Sequence, residues 1–275
     1  MNKIKTFLKL ILFKYDFFIK KLMYPMIYDI NKNILNTKQK KILISYLNEQ
    51  FFFGLDTKNS HTNYNENSLI IKYFIEKDFS IDLIECTDKN FIPKNDYYDV
   101  IFGFGEPFRK ACDCNENAKK IIYLTESSPK FSYVAEKRRI VNYKQRNNVS
   151  KDIKLARSGT HYLDNDLTIS DYYLLIGSHY TLDTYLTHYE LDKAKFLLIN
   201  PTGLFNESFM LKDKSFIKNN NFLWFGSRGA IHKGLDLLTE VFSKNEELNL
   251  YAYGVNKNGY KYLKKSNNIY SQIIP

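Results

Sequence analysis

Short apolar runs alternate along this chain with longer segments of helical periodicity. Buried strands joined by helix-length connections pair in parallel, because only antiparallel neighbours can be joined by a tight turn. The pattern therefore predicts an α/β fold in which helices cover a doubly wound parallel sheet. The predicted strands lie at residues 42–47, 81–85, 99–104, 121–126, 172–177 and 196–200.

The pattern restarts after residue 205, which indicates a second domain. The turn residues Pro201-Thr202-Gly203 precede a polar stretch that is typical of a linker. The next predicted elements are a strand, a helix, a strand, a helix and the start of a strand, with the first three at residues 221–226, 232–243 and 248–253. About seventy residues are too few to close another doubly wound sheet, so this domain is expected to be incomplete. The expected parts are a basic N-terminal segment (1–36), a Rossmann-like domain (37–205), a linker (206–220) and part of a second Rossmann-like domain (221–275).

The N-terminal segment is predicted to be a basic amphipathic helix. In residues 1–22 six lysines stand against one aspartate, so the net charge is +5. Charged residues interrupt the apolar run, so a membrane-spanning helix is not expected. Two interpretations stay open: attachment to an anionic membrane surface, and packing against the neighbouring domain. The apolar residues recur at steps of three and four, the spacing of one helix face: Ile4, Phe7, Leu8, Ile11, Leu12, Tyr15, Phe18, Ile19 and Leu22.

Deletion of residues 1–22 tests the membrane interpretation. Each basic residue near an anionic leaflet contributes about 1 kcal/mol, so the shortened chain should no longer sediment with vesicles that contain phosphatidylglycerol. Vesicles of phosphatidylcholine alone serve as the control for the electrostatic part. Equal sedimentation of the full and shortened chains would contradict attachment through this segment.

The charge and cysteine content bear on the partners and the compartment. The whole chain has a net charge of +10, and half of that excess lies in residues 1–22. Because the charge is concentrated there and no nucleic-acid-binding motif occurs, no nucleic-acid partner is expected. The three cysteines are an odd number, and no cleavable signal precedes the folded part, which indicates a reducing compartment. We expect a cytoplasmic protein, located at the inner face of the membrane if residues 1–22 attach to it.

The clearest chemical signal lies in residues 222–238, where an apolar strand runs into a glycine-containing loop that opens a helix. Gly226 and Gly229 would let backbone N–H groups approach an anion, and a helix N-terminus adds unpaired N–H groups and a positive dipole end. The segment predicts a phosphate site that Lys233 touches. An ordinary strand-to-helix turn is the alternative, since the segment matches neither the P-loop nor the dinucleotide fingerprint.

This segment resembles the start of the donor domain in retaining GT-B glycosyltransferases of the family 4, or group 1, type. In that family a glycine loop and a Lys-Gly-Leu helix start hold the diphosphate of a nucleotide sugar, and Lys233-Gly234-Leu235 matches that start. The family has arginine directly after the loop glycine, where this chain has serine. The likeness covers roughly residues 40–275 and is firm over 221–254. The donor diphosphate-binding residues that it implies are Gly226, Ser227, Arg228 and Lys233.

The resemblance implies a GT-B-like fold with two Rossmann-like domains, and a sugar transfer that retains the anomeric configuration. The donor would be a nucleotide sugar, and the acceptor a cell-surface polysaccharide, lipopolysaccharide-type glycan or lipid-linked glycan. The nucleotide sugar is a substrate, so no cofactor is implied, and no metal site is predicted. The glutamate pair that grips the donor in this family lies later in the second domain than residue 275. The alternative is a noncatalytic remnant that at most binds nucleotide.

Two residues of the first domain are candidates for catalysis. Glu126 ends the fourth predicted strand, at the sheet edge where open α/β sheets bind ligands; a helix cap or an ion pair is its alternative role. His61 precedes the first long predicted helix, where an acceptor loop would face the cleft, and a histidine in a surface loop is the alternative.

Overall fold

The computed structural model describes residues 25–31, 40–53, 62–156, 162–203, 220–226 and 229–274. The predicted amphipathic helix, His61, Ser227, Arg228 and all but the last residue of the predicted linker lie outside the described residues. Among the helices of the described part, none has the length and apolar composition needed to cross a membrane. The chain divides into two compact units, the first made of residues 1–127 and 161–205, the second of residues 128–160 and 206–275.

The described elements follow the alternation of strands and helices that the sequence predicts. The strands are β1 (Lys40–Tyr46), β2 (Phe79–Glu85), β3 (Val100–Gly103), β4 (Lys119–Leu124), β5 (Tyr172–Ile176), β6 (Phe196–Ile199), β7 (Asn221–Phe225), β8 (Asn249–Asn256) and β9 (Ile269–Ile274). The α-helices are α1 (Gln50–Phe53), α2 (Thr62–Glu76), α3 (Glu106–Cys114), α4 (Pro129–Asn147), α5 (Asp164–Thr168), α6 (His179–Leu186), α7 (Leu235–Phe242) and α8 (Lys257–Tyr260). A short 3-10 helix spans Lys193–Lys195.

The first unit is built on a six-stranded sheet in the order β2-β1-β3-β4-β5-β6. All five neighbouring pairs are parallel, so the predicted parallel α/β sheet is confirmed. The apolar run at the centre of β1 is fully buried, as expected for a strand covered on both faces. The strand order reverses between β1 and β3, and the crevice outside the carboxyl ends of two such strands is the usual ligand position in open α/β sheets.

Two glycines shape the exit of β3 at this edge. Gly103 has φ +120, and a Cβ there would lie 2.0 Å from the carbonyl oxygen of Ser45 on β1. Gly105 has φ +89, and its Cβ would lie 2.1 Å from the carbonyl oxygen of Cys86. The chain after β3 can therefore run against β1 and β2 only because these two positions lack side chains.

Replacing Gly103 with alanine should lower the free energy of unfolding of the first unit by about 3 kcal/mol or more. Alanine is strained at this positive φ, and its Cβ would overlap the carbonyl oxygen of Ser45. Gly203→Ala is the matched control, since among the described residues no atom outside its chain neighbours lies within 4 Å of its added Cβ, and it should change stability by less than about 0.5 kcal/mol. Urea denaturation followed by circular dichroism measures both. Equal stability of the two variants would refute the close approach at Gly103.

The second unit combines a three-stranded parallel sheet, in the order β7-β8-β9, with the helices α4, α7 and α8. The predicted boundaries assigned residues 37–205 to one domain, whereas the structure groups 128–160 with the second unit. The physical reason lies in packing: Ile140 and Tyr143 of α4 form a buried cluster with Ile231, which precedes α7. Sequence proximity placed this helix with the first domain, but its buried side chains face residues that come about ninety positions later.

Candidate functional site

The loop between β7 and α7 is folded around Trp224. This side chain is buried, and its indole Nε1 donates a hydrogen bond to the carbonyl oxygen of Lys233 at 3.3 Å. The ring occupies the space beside Gly226, where a Cβ would lie 2.3 Å from the ring atom Cη2. Gly226 is therefore required by the packing of Trp224, apart from any role toward a ligand.

The exits of β7 and β8 also touch each other through glycine. The N–H of Gly226 donates to the carbonyl oxygen of Tyr253 at 3.1 Å. Gly254 has φ +81, and a Cβ on it would lie 1.8 Å from the carbonyl oxygen of Gly226. These contacts fix where the β7–α7 loop leaves the carboxyl edge of the sheet.

The loop then closes on itself before the helix begins. The N–H groups of Lys233, Gly234 and Leu235 donate to the carbonyl oxygens of Gly229, Ile231 and Ala230 at 2.8, 3.1 and 2.9 Å. The helix predicted to begin near residue 232 begins at Leu235, after Gly234 with φ +76. The expectation of unpaired N–H groups at the helix start is wrong for these three groups, because the carbonyls of the loop accept their hydrogen bonds.

A cavity of about 590 Å³ lies beside this loop, within the second unit. Its volume is within the range of about 300–1,000 Å³ that small-molecule sites have. It also meets the carboxyl edge of the sheet, because Asn256 ends β8. The residues that line it are Glu136, Ile140, residues 152–156, residues 229–232, Asn256, Gly259, Lys261 and Tyr262.

The cavity is lined by two acidic side chains, Glu136 and Asp152, and two basic ones, Lys154 and Lys261. The carboxylate of Glu136 accepts a hydrogen bond from the N–H of Ala156 at 2.7 Å, and Asp152 lies 3.7 Å from the ammonium of Lys144. Lys154 and Lys261 also line the cavity, and within the described part of the chain neither has an ion-pair partner. Cationic donors without carboxylate partners attract phosphate groups. No group of three or more His, Cys, Asp and Glu side chains among the described residues is arranged to hold a metal ion.

A buried ion-pair cluster anchors α7 to α4. Asp236 lies in the first turn of α7 with its side chain 2% exposed. Its Oδ1 accepts from Nη2 of Arg139 at 3.0 Å, and its Oδ2 accepts from Nη2 of Arg146 at 2.5 Å. Nε of Arg146 also lies 3.4 Å from the carboxylate of Glu240, one turn further along α7. Removing one partner from this buried cluster is costly, because the charge that remains is buried without an opposite charge beside it.

Asp236→Asn should therefore lower the free energy of unfolding of the second unit by about 2–4 kcal/mol. Glu240→Gln removes a carboxylate from the same helix, but this side chain is 25% exposed, so a smaller loss is expected. Trp224 is the sole tryptophan of the chain, and its fluorescence during urea denaturation reports on this unit. Equal losses for the two variants would show that the buried cluster contributes no more than a surface ion pair.

The donor-site residues implied by sequence lie in different environments. Gly226 is buried under Trp224, whereas the side chain of Lys233 is exposed and does not line the cavity. Its neighbour His232 does line the cavity, and the buried Nδ1 of His232 has no hydrogen-bond partner among the described residues. Ser227 and Arg228 lie outside the described residues. The role of these residues toward a donor stays a prediction.

The catalytic candidates belong to the first unit. Glu126 lies two residues beyond the end of β4 and is half-buried, and its carbonyl oxygen accepts a hydrogen bond from the hydroxyl of Tyr185 at 2.7 Å. The carboxyl edge of the sheet is the position predicted for it. His61 lies outside the described residues. The catalytic role of both residues stays a prediction.

Sequence reasoning missed a buried carboxylate in the first unit. Glu66 on α2 accepts hydrogen bonds from the hydroxyls of Tyr46 at 3.2 Å and Tyr123 at 3.1 Å, and also from Thr202. Burial raises the pKa of both tyrosines, and the charge of Glu66 raises the pKa of each further, so they remain neutral donors. No local motif marks this cluster, because its members come from four separate elements of the chain.

Comparison with known proteins gives no family assignment. No protein-family model, curated protein or solved structure matches this chain.

Proposed function

We propose that this chain is a glycosyltransferase that moves a sugar from a nucleotide-sugar donor to a cell-surface polysaccharide or lipopolysaccharide-type acceptor, with retention of configuration. The observation that carries the proposal is the cavity at the carboxyl edge of β7 and β8. Residues 229–232 line it and belong to the segment that resembles a donor-diphosphate loop. Lys154 and Lys261 line it as well, and their ammonium groups are donors of the kind that bind phosphate oxygens.

In this proposal the cavity stabilises the leaving group. Negative charge on the nucleoside diphosphate grows as the bond to the sugar breaks, so fixed cations nearby lower the energy of the transition state more than that of the bound donor. The two units would correspond to the two Rossmann-like domains of a GT-B enzyme. The first would hold the glycan or lipid-linked acceptor, with Glu126 and His61 as the catalytic candidates. A cytoplasmic location at the inner face of the membrane would bring residues 1–22 close to such an acceptor.

The alternative proposal is a noncatalytic chain that binds nucleotide only. It is favoured by the start of α7, where the N–H groups of Lys233, Gly234 and Leu235 are occupied by the loop and so do not serve a phosphate.

A turnover assay separates these proposals. The full chain is incubated with uridine, guanosine, adenosine or cytidine diphosphate sugars and a membrane extract, and release of the nucleoside diphosphate is measured. Release that depends on the extract supports glycosyl transfer. Binding of a nucleotide without release supports the noncatalytic alternative, and absence of both would refute the two proposals together.

The resemblance assigns Lys233 to the diphosphate, although its side chain is exposed and does not line the cavity. If that role is right, Lys233→Ala should weaken nucleoside-diphosphate binding by about 1.5–3 kcal/mol, the value of a charge-assisted hydrogen bond, without unfolding the chain. Lys244→Ala is the control, because it removes the same charge from an exposed side chain beyond the other end of α7. Calorimetric titration measures the affinities.

Lys261→Ala extends this experiment to a lysine that lines the cavity. If only Lys261→Ala weakens binding, the cavity holds the nucleotide but the role taken from the resemblance for Lys233 is wrong. If neither variant differs from Lys244→Ala, the cavity is not the diphosphate site.

A further inference from the structure

We infer that Arg139 is a positioning residue of the nucleotide site, which holds the loop of residues 229–234 in the shape that binds the ligand. The inference rests on the function proposed above, because it concerns the same cavity. It adds a residue of α4 that neither the loop motif nor the resemblance contains.

The guanidinium of Arg139 connects the loop to the helix that follows it. Its Nη2 donates to the carbonyl oxygen of Ile231 at 2.9 Å and to Oδ1 of Asp236 at 3.0 Å. Ile231 lies in the middle of the loop, and Asp236 lies in the first turn of α7. One fixed nitrogen therefore sets the distance between the loop and the helix start, through bonds that the charge of the guanidinium strengthens.

The loop needs such an external support because a glycine stands at each of its ends. Gly229 and Gly234 have φ +82 and +76, and glycine pays little to change between positive and negative φ. The internal hydrogen bonds of the loop hold its N–H groups, and the packing of Ile231 against Ile140 brings the loop to α4 without the directional constraint of a hydrogen bond. Arg139 reaches the loop from outside, and so it selects one of the positions that the glycines allow.

Arg139 is also placed between two residues of the cavity wall. Glu136 lies one turn before it on α4 and Ile140 directly after it, and both line the cavity. Ile140 shares a buried cluster with Ile231. The contact at Arg139 therefore joins α4 to the loop, two of the segments that line the cavity.

Arg146 provides a matched comparison. It also binds Asp236, at 2.5 Å, and it lies on the same helix, but its described contacts are with the carboxylates of Asp236 and Glu240, not with the loop. If Arg139 acted only by stabilising the unit, the loss of Arg146 would have the same consequence. If it positions the loop, the loss of Arg139 alone should affect the ligand.

The experiment uses the full chain with the variants Arg139→Gln, Arg146→Gln and Arg138→Gln, the last at an exposed position of α4. Uridine, guanosine, adenosine and cytidine diphosphates are titrated while the fluorescence of Trp224 is recorded, since its indole bonds to the loop at Lys233. Circular dichroism checks folding. We expect Arg139→Gln to weaken the affinity about tenfold or more, Arg146→Gln less than about threefold, and Arg138→Gln not at all.

Equal affinities of Arg139→Gln and Arg138→Gln would overturn the inference and leave the proposed function intact. An equal loss in Arg139→Gln and Arg146→Gln would also overturn it, because the role would then be structural. If Arg139→Gln does not fold, Arg139→Met, whose side chain has no hydrogen-bond donor, replaces it, and wild-type affinity in that variant would overturn the inference.

If the unaltered chain binds none of the four diphosphates, the proposed function fails, and the inference is decided by the loop itself. Hydrogen exchange at the N–H groups of Lys233 and Leu235, and quenching of Trp224 by acrylamide, should then both increase in Arg139→Gln more than in Arg146→Gln. Equal exchange and quenching in the two variants would overturn the positioning role.

Discussion

Every pair of neighbouring strands in the two described sheets is parallel, and this constraint sets the position of the other elements. Parallel strands end at the same edge, so each exit loop must turn away beside the exit of its neighbour. The crowding is severe enough to require glycine: Gly103 lies against the backbone of Ser45, and Gly254 against that of Gly226. The cavity of the second unit lies at such an edge.

The second unit depends further on one buried charge. Asp236 is almost fully buried, and its two arginine partners stand 97 and 90 residues earlier in the chain. A buried carboxylate without partners would be too costly, so α4 packs beside α7 although it follows a strand of the first unit. The cavity is consequently formed by residues from both halves of the sequence. Residues 152–156 line it together with residues 229–232 of the glycine loop.

The strands and most helices could be predicted from local periodicity, and so could the loop that lines part of the cavity. The helix start was misplaced by about three residues, because Gly234 in the left-handed region and the hydrogen bonds of the loop delay α7. The part of the cavity lining that α4 contributes, Glu136 and Ile140, was not predicted as part of the site. The basic residues of this helix have the pattern of a solvated helix face. The cluster around Glu66 was not predicted for a similar reason. A glutamate near a helix start suggests a cap, not a buried acceptor of hydrogen bonds from three hydroxyls.

The sequence by itself determined the α/β class, the parallel pairing and the glycine loop, because these follow from periodicity, connection length and backbone freedom within short segments. Only the tertiary structure decided that α4 belongs with the second unit, that Gly226 accommodates Trp224, and that His232 lines the cavity while Lys233 is exposed. These outcomes depend on which distant side chains share a buried space. A local pattern shows that a residue is apolar or charged, but burial and charge compensation are settled only when separate segments pack together.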